Sequence, residues 1–185
     1  SILGTTGRVR PFSLEAIRAT IDCALDVARA EGNEVVALVP GHLGERALRA
    51  WAGDLTIVEV SNEWGHALDQ AAAKAFRSLL LAGHPGKLAK LAEGHFDTHS
   101  SRSPSPLPEV RALAEAFVGR SLGETATVEG IFQALDPDER RIVAEHLARK
   151  VAQSARIRAG LPCGVLLTDM NGGIYGGGME GTPWA

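Results

Sequence analysis

The chain has 185 residues, of which 45% are hydrophobic, 22% charged and 5% aromatic, and its formal net charge is −3. That length fits one domain, and the apolar content excludes disorder as a description of the whole chain. No run approaches the roughly 18 apolar residues of a membrane span, no signal peptide is expected, and the negative balance argues against a broad nucleic-acid-binding face. Two cysteines, Cys23 and Cys163, are too few for a disulfide framework and predict reduced thiols in a cytoplasmic protein. Glycine is over-represented, at 21 of 185 residues, against a usual share of roughly 7%.

In chain order, a strand tail at 1–3 precedes the turn Gly4-Thr5-Thr6-Gly7. Leu14, Ile17, Ile21, Ala24, Leu25 and Ala28 then recur at helical spacing and predict a helix over 13–31, with Ser13 as N-cap and Gly32 as stop. Strands are expected at 34–39, 55–60 and 79–82, with a short helix at 43–51 and another running from Ser61-Asn62-Glu63 to Phe76. The segment 93–108, with three prolines and four serines, reads as a long loop. Helices follow at 107–117, 128–135 and 137–159. The last is marked by Asp136 as N-cap, Pro137 at the first helical position and Glu139 at the reciprocal capping position. A final strand occupies 163–167, and the Gly-rich tail 168–185 shows no period.

Alternating helices and continuously apolar strands predict a doubly wound α/β domain with a mostly parallel sheet flanked by helices. Ligands bind such sheets beyond the carboxyl ends of the strands. The turns expected there are Gly4–Gly7, Pro40-Gly41-His42, Ser61-Asn62, Gly83-His84-Pro85-Gly86-Lys87 and Thr168-Asp169-Met170-Asn171. Small polar turn residues also serve purely structural ends, but five such turns on one edge favour a site. Gly83–Lys87 suits an anion at a helix N-terminus, yet Leu88 follows the lysine, so the segment is not a P-loop. Three of the six histidines, His84, His95 and His99, fall within 16 residues, with Asp97 between two of them. Such a cluster fits a metal-dependent hydrolase, general acid–base chemistry, carboxylate binding or a hydrogen-bonded loop. A non-catalytic anion- or tetrapyrrole-binding module is a further alternative.

The blocks Gly4-Thr5-Thr6-Gly7-Arg8-Val9-Arg10-Pro11 with Ser13, Gly83-His84-Pro85-Gly86-Lys87-Leu88-Ala89-Lys90-Leu91-Ala92, and Gly94-His95-Phe96-Asp97-Thr98-His99-Ser100 resemble the cobalt-precorrin-5B C(1)-methyltransferases. Ser61-Asn62 fits the same pattern, and the resemblance covers roughly the first 110 residues. It implies methyl transfer from S-adenosylmethionine to C1 of a cobalt-corrinoid precursor in cobalamin biosynthesis, giving cobalt-precorrin-6A. Cobalt would arrive within the substrate, so no protein-bound metal is expected. The resemblance also implies a longer parent protein whose further N-terminal region is missing here, with this chain as its C-terminal part.

On that reading His84, His95, Asp97 and His99 are the catalytic candidates. Gly4, Thr5, Thr6, Asn62, Gly83 and Gly86 are the donor-binding candidates, and Lys87, Ser100 and Arg102 the substrate-binding ones. Arg8, Arg10 and Lys90 add positive charge for the substrate's carboxylates. The expected partners are the corrinoid and the missing region, with neither nucleic acid nor membrane; a homo-oligomer is left open.

Overall fold

A computed structural model of the protein describes residues 13–184. The expected strand tail at 1–3, together with Gly4, Thr5, Thr6, Gly7, Arg8 and Arg10, lies outside the described residues. Ser13 caps α1 (Leu14–Ala30) by accepting the Ala16 N–H at 3.1 Å, and Gly32 turns the chain away after it at φ +84°. There follow β1 (Val35–Val39), α2 (His42–Trp51), β2 (Ile57–Glu59), α3 (Trp64–Ala73) and β3 (Ser78–Gly83). After these come α4 (Pro85–Ala92), α5 (Leu107–Val118), α6 (Val128–Gln133), α7 (Pro137–Ala159), β4 (Cys163–Thr168) and β5 (Ile174–Gly178). No described helix is long and apolar enough to cross a membrane.

The five strands form one sheet in the order β2-β1-β3-β4-β5; the first three pairings in that row are parallel and the fourth, β4 with β5, is antiparallel. Alternation along the strands explains their unbroken apolar sequences. Leu38, in register with Val58 and Leu81, and Leu81, in register with Val165, face the larger core. Ala37, Val39, Leu80, Ala82 and Leu166 face the smaller one, with Leu48 of α2. Both sheet faces are thus covered, as continuous hydrophobic strands require.

The chain passes from β1 outward to β2 through α2, then back across the sheet to β3 and β4. Right-handed crossovers place helices of opposite travel on opposite faces. Accordingly α2 packs on one face, while α1, α3, α4, α5, α6 and α7 contribute to the core on the other. The fold is therefore the doubly wound α/β class expected from the sequence.

Two elements differ from expectation. The turn at 83–87 leads directly into α4, whose first residue is Pro85. The tail, which shows no period in sequence, contains β5, which pairs with β4 and lies along α7. Glycine makes that placement feasible. A Cβ on Gly176 would sit 3.0 Å from Ala144 Cβ and 3.2 Å from the Arg141 carbonyl oxygen, and one on Gly178 would sit 3.0 Å from the Arg149 backbone nitrogen. Part of the glycine excess is therefore steric: β5 approaches the backbone of a helix.

Candidate functional site

The four parallel strands end on one edge, so Pro40–His42, Ser61-Asn62, His84–Lys87 and Thr168–Asn171 are neighbours there. The direction of travel reverses at β1 and β3, and the point where a doubly wound sheet reverses opens a crevice. A cavity of about 300 Å³ occupies that crevice, lined by Pro40, Gly41, His42, Leu43 and Gly44 on one side, by His84 and Lys87 on another, and by Thr168, Asp169 and Met170. The chain is packed tightly behind it: a Cβ on Gly83 would lie 3.0 Å from Pro40 Cδ. Gly41 caps α2 without a side-chain acceptor, leaving the first N–H groups of that helix uncapped by a side chain.

His84 is the N-cap of α4, and its Nδ1 accepts the Gly86 N–H at 3.0 Å. A nitrogen that accepts carries no proton, so the neutral ring holds its proton on Nε2, 2.7 Å from Glu129 Oε2. Glu129 also accepts from the Tyr175 hydroxyl at 3.0 Å and from Gln133 at 3.1 Å. Burial alone would raise the Glu129 carboxyl, but the hydrogen bonds from His84, Tyr175 and Gln133 outweigh it and hold the group below the usual carboxylate range. Burial, then the bond to Glu129, pushes the Tyr175 phenol well above its ordinary value. Gly86 permits the cap, since a Cβ there would meet His84 Nδ1 at 3.0 Å.

Lys87 Nζ donates to Asn62 Oδ1 at 2.8 Å, and the Thr98 hydroxyl donates to the same oxygen at 3.1 Å. Asn62 is presented by Ser61, a non-glycine residue in the left-handed region at φ +54°. Burial, and then the neighbouring charge of Lys90, lowers the Lys87 ammonium from its ordinary value. Lys90 is buried and donates to the Thr98 carbonyl oxygen at 3.2 Å and the Ser103 hydroxyl at 2.9 Å. The two lysines thereby brace the loop 95–103 against the end of β2.

Inside that loop Asp97 accepts the His99 N–H at 3.1 Å and is clamped by the Arg102 guanidinium, whose hydrogen bond holds its carboxyl below the usual range. Glu63, only 4% exposed, is paired with Arg18 at 2.8 Å and lies 3.7 Å from Arg102. His99 Nδ1 accepts the Ser101 N–H at 3.2 Å. Ser100 is exposed beside it, and His95 lines a separate cavity of about 120 Å³ with Lys90 and Glu93.

His84, His95, Asp97 and His99, clustered in sequence, are not gathered around one point, although Asp97 and the His99 N–H are in contact. Among the described residues no group of three or more His, Cys, Asp or Glu side chains is placed to hold a metal ion, which removes the ligand set on which the hydrolase alternative rested. Each of the four has been drawn to a different partner or pocket. Gly83 and Gly86, expected to let a ligand approach the backbone, make their close approaches to Pro40 and His84. Asp169 lines the cavity but also accepts the Asn171 and Gly173 N–H groups, both at 2.7 Å, and so shapes the turn between β4 and β5. Glu129 and Tyr175 were not signalled by any motif, and His42 was legible only as a histidine after Pro-Gly.

Fold and cavity together define a doubly wound α/β protein with a small-ligand crevice at its switch point. Comparison with known proteins narrows this further. The chain is 46% identical over its whole length to a cobalt-precorrin-5B C(1)-methyltransferase from Syntrophotalea carbinolica, covering 54% of that protein. Identities are 32% to the protein of that name from Methanococcus aeolicus, over 95% of this chain and 49% of the relative, and 36% to that from Klebsiella pneumoniae, over 83% and 42%. The chain is thus a relative of the cobalt-precorrin-5B C(1)-methyltransferases, and it spans about half the length of the curated relatives it matches. No protein-family model matches the chain. No solved structure matches it.

Proposed function

We propose that this chain is the C-terminal α/β domain of a methyltransferase that moves a methyl group from S-adenosylmethionine to C1 of cobalt-precorrin-5B, forming cobalt-precorrin-6A. The observation that carries the reading is the 46% identity to a protein of that name, over an alignment that spans the whole of this chain. The sulfonium supplies an activated methyl group, so the protein's main task is alignment of donor and ring carbon.

The switch-point cavity, at about 300 Å³, lies at the small end of ligand pockets and suits the donor. A corrin macrocycle with its acetate and propionate arms is several times larger and is proposed to lie across the rim, over Ser100 and Arg102. Asn62, bonded to Lys87, and Gly83 and Gly86, packed against Pro40 and His84, are proposed to act on the donor side through those lining residues. Gly4, Thr5 and Thr6 are assigned to the same side by the family resemblance alone.

His84 is the proposed wall and positioning residue of the cavity, because both its ring nitrogens are engaged. Asp97, clamped by Arg102, and His99, bonded to Ser101, are proposed to shape the loop. The proton lost by the ring on alkylation then falls to an imidazole with a free lone pair. Among the described residues His42 and His95 make no ring hydrogen bond, and His42 lines the cavity itself. A cytoplasmic setting agrees with the two thiols.

The test is transfer of isotopically labelled methyl from S-adenosylmethionine to cobalt-precorrin-5B by the parent protein. Labelled cobalt-precorrin-6A is the expected product, and its absence with a folded, donor-binding protein would refute the reading.

A further inference from the structure

The carboxylates around the switch-point edge have partners. Glu63 is paired with Arg18 and faces Arg102, Asp97 is clamped by Arg102, Glu129 is bonded to His84 and Tyr175, and Asp169 accepts two backbone N–H groups. The lysines are different. Neither Lys87 nor Lys90 forms an ion pair with any described residue; the acceptors of both are neutral oxygens of Asn62, Thr98 and Ser103. Lys90 is 6% exposed, and Lys87 lies in the cavity wall. Two ammonium groups one helical turn apart, partly withdrawn from water without a counter-charge, are unfavourable unless an anion joins them.

We propose that Lys87 Nζ is the anchor of a carboxylate-binding subsite within the switch-point cavity, with Lys90 behind it and the uncapped first N–H groups of α2 facing it across the crevice. An ammonium has three donors, and Asn62 takes one from Lys87, which leaves donors for a ligand oxygen. Among the described residues the wall opposite contributes no second cation: Asp169 is the one other charged side chain of those residues lining the cavity. A zwitterion or a single carboxylate therefore suits the crevice better than a polyanion such as a triphosphate. In the setting of the function proposed above, on which this inference rests, two sources supply that carboxylate: the amino-acid end of the methyl donor, or an acetate or propionate arm of the corrinoid.

Calorimetric titration of the parent protein with S-adenosylhomocysteine and, separately, with cobyrinic acid separates the two. Each is compared with a partner lacking the carboxylate, decarboxylated S-adenosylhomocysteine and cobyrinic acid heptamethyl ester, on the native protein and on Lys87→Met. The subsite predicts that one acid loses about tenfold to a hundredfold in affinity on Lys87→Met, as for a charge-assisted hydrogen bond, while its neutralised analogue binds both proteins alike. Lys87→Arg is expected to restore part of the loss. Loss confined to cobyrinic acid assigns the subsite to the corrinoid, and loss confined to S-adenosylhomocysteine assigns it to the donor. Binding of both acids with equal affinity by the native and Lys87→Met proteins, each folded by circular dichroism, overturns the subsite and leaves the methyltransferase reading standing. Failure of either acid to bind the native protein at millimolar concentration overturns the subsite for that acid, and failure of both overturns it outright.

Discussion

His84 and Glu129 are 45 residues apart in the chain, yet His84 Nε2 lies 2.7 Å from Glu129 Oε2. With Nδ1 accepting the Gly86 N–H, the pair fixes the ring's tautomer, its plane and the start of α4. The one lone pair of the neutral His84 ring is thereby in use, which supports the positioning role proposed for it above.

The pair makes a pH-dependent prediction. The folded-state carboxyl of Glu129 is held below its ordinary value, so its contribution is fully present above that value and is lost as pH falls through the lowered one. Glu129→Gln is expected to destabilise the protein by about 1 kcal/mol near neutrality, with the difference from native shrinking below the ordinary carboxylate range. Urea unfolding from pH 7 to pH 3 measures it; a difference that stays constant across that range would contradict the ionised pair. Nitrogen-15 spectra should show His84 protonated on Nε2 when neutral.

The packing of β5 on α7 leaves no room for side chains at the glycines facing the helix. Gly176→Val should cost about 1–3 kcal/mol or more through overpacking against Ala144 and Arg141. Gly53→Ala, where the nearest atom to a new Cβ is 3.9 Å away, should leave stability within about 0.5 kcal/mol. Thermal unfolding of the two variants distinguishes them, and equal losses would remove the steric explanation of the glycine-rich tail.

The two thiols should differ in reactivity. Burial pushes the Cys163 thiol up to about 12, and the residue lies within the core, whereas Cys23 is exposed on α1. Since the thiolate is the nucleophile, iodoacetamide at pH 8 should alkylate Cys23 and spare Cys163 until the protein is unfolded. Mass mapping of the modified peptides reads this directly, and rapid labelling of Cys163 in the folded chain would contradict the placement of β4.

The free imidazoles carry the proposed proton transfer. His42→Ala or His95→Ala should lower turnover of the parent protein by about 10²–10⁴ with little change in melting temperature, since neither ring makes a hydrogen bond among the described residues. Full activity in both variants would move the proton acceptor elsewhere.

What the sequence disclosed, and what it did not, follows from the range of the interactions involved. The start of helix α7 was legible because Asp136, Pro137 and Glu139 form a local capping signal, and the structure ends it at Gly160 in the left-handed region. The parallel strands were legible because burial on both faces leaves an unbroken apolar run. The strand β5 was not, since Ile-Tyr-Gly-Gly-Gly has no period and its conformation is imposed by β4 and α7. The site was half legible. Local chemistry marked His84, Lys87 and Asn62, and the strand ends placed them on one edge. The partner of the His84 ring, Glu129 from α6, and Tyr175 from β5 that bonds to it, come from segments whose proximity only the fold creates. His95 and His99, neighbours in sequence, are set in different surroundings by short loop bonds: the His95 N–H to the Lys90 carbonyl oxygen, and the His99 ring and N–H to Ser101 and Asp97.

The donor site proposed for the crevice between β1 and β3 is open to amide shift mapping with S-adenosylhomocysteine. Saturable shifts are expected at residues 41–44, at His84, Gly86 and Lys87, and at residues 168–170. Shifts centred instead on the groove lined by Phe96, Ile157 and Arg158, or none at millimolar ligand, would contradict it.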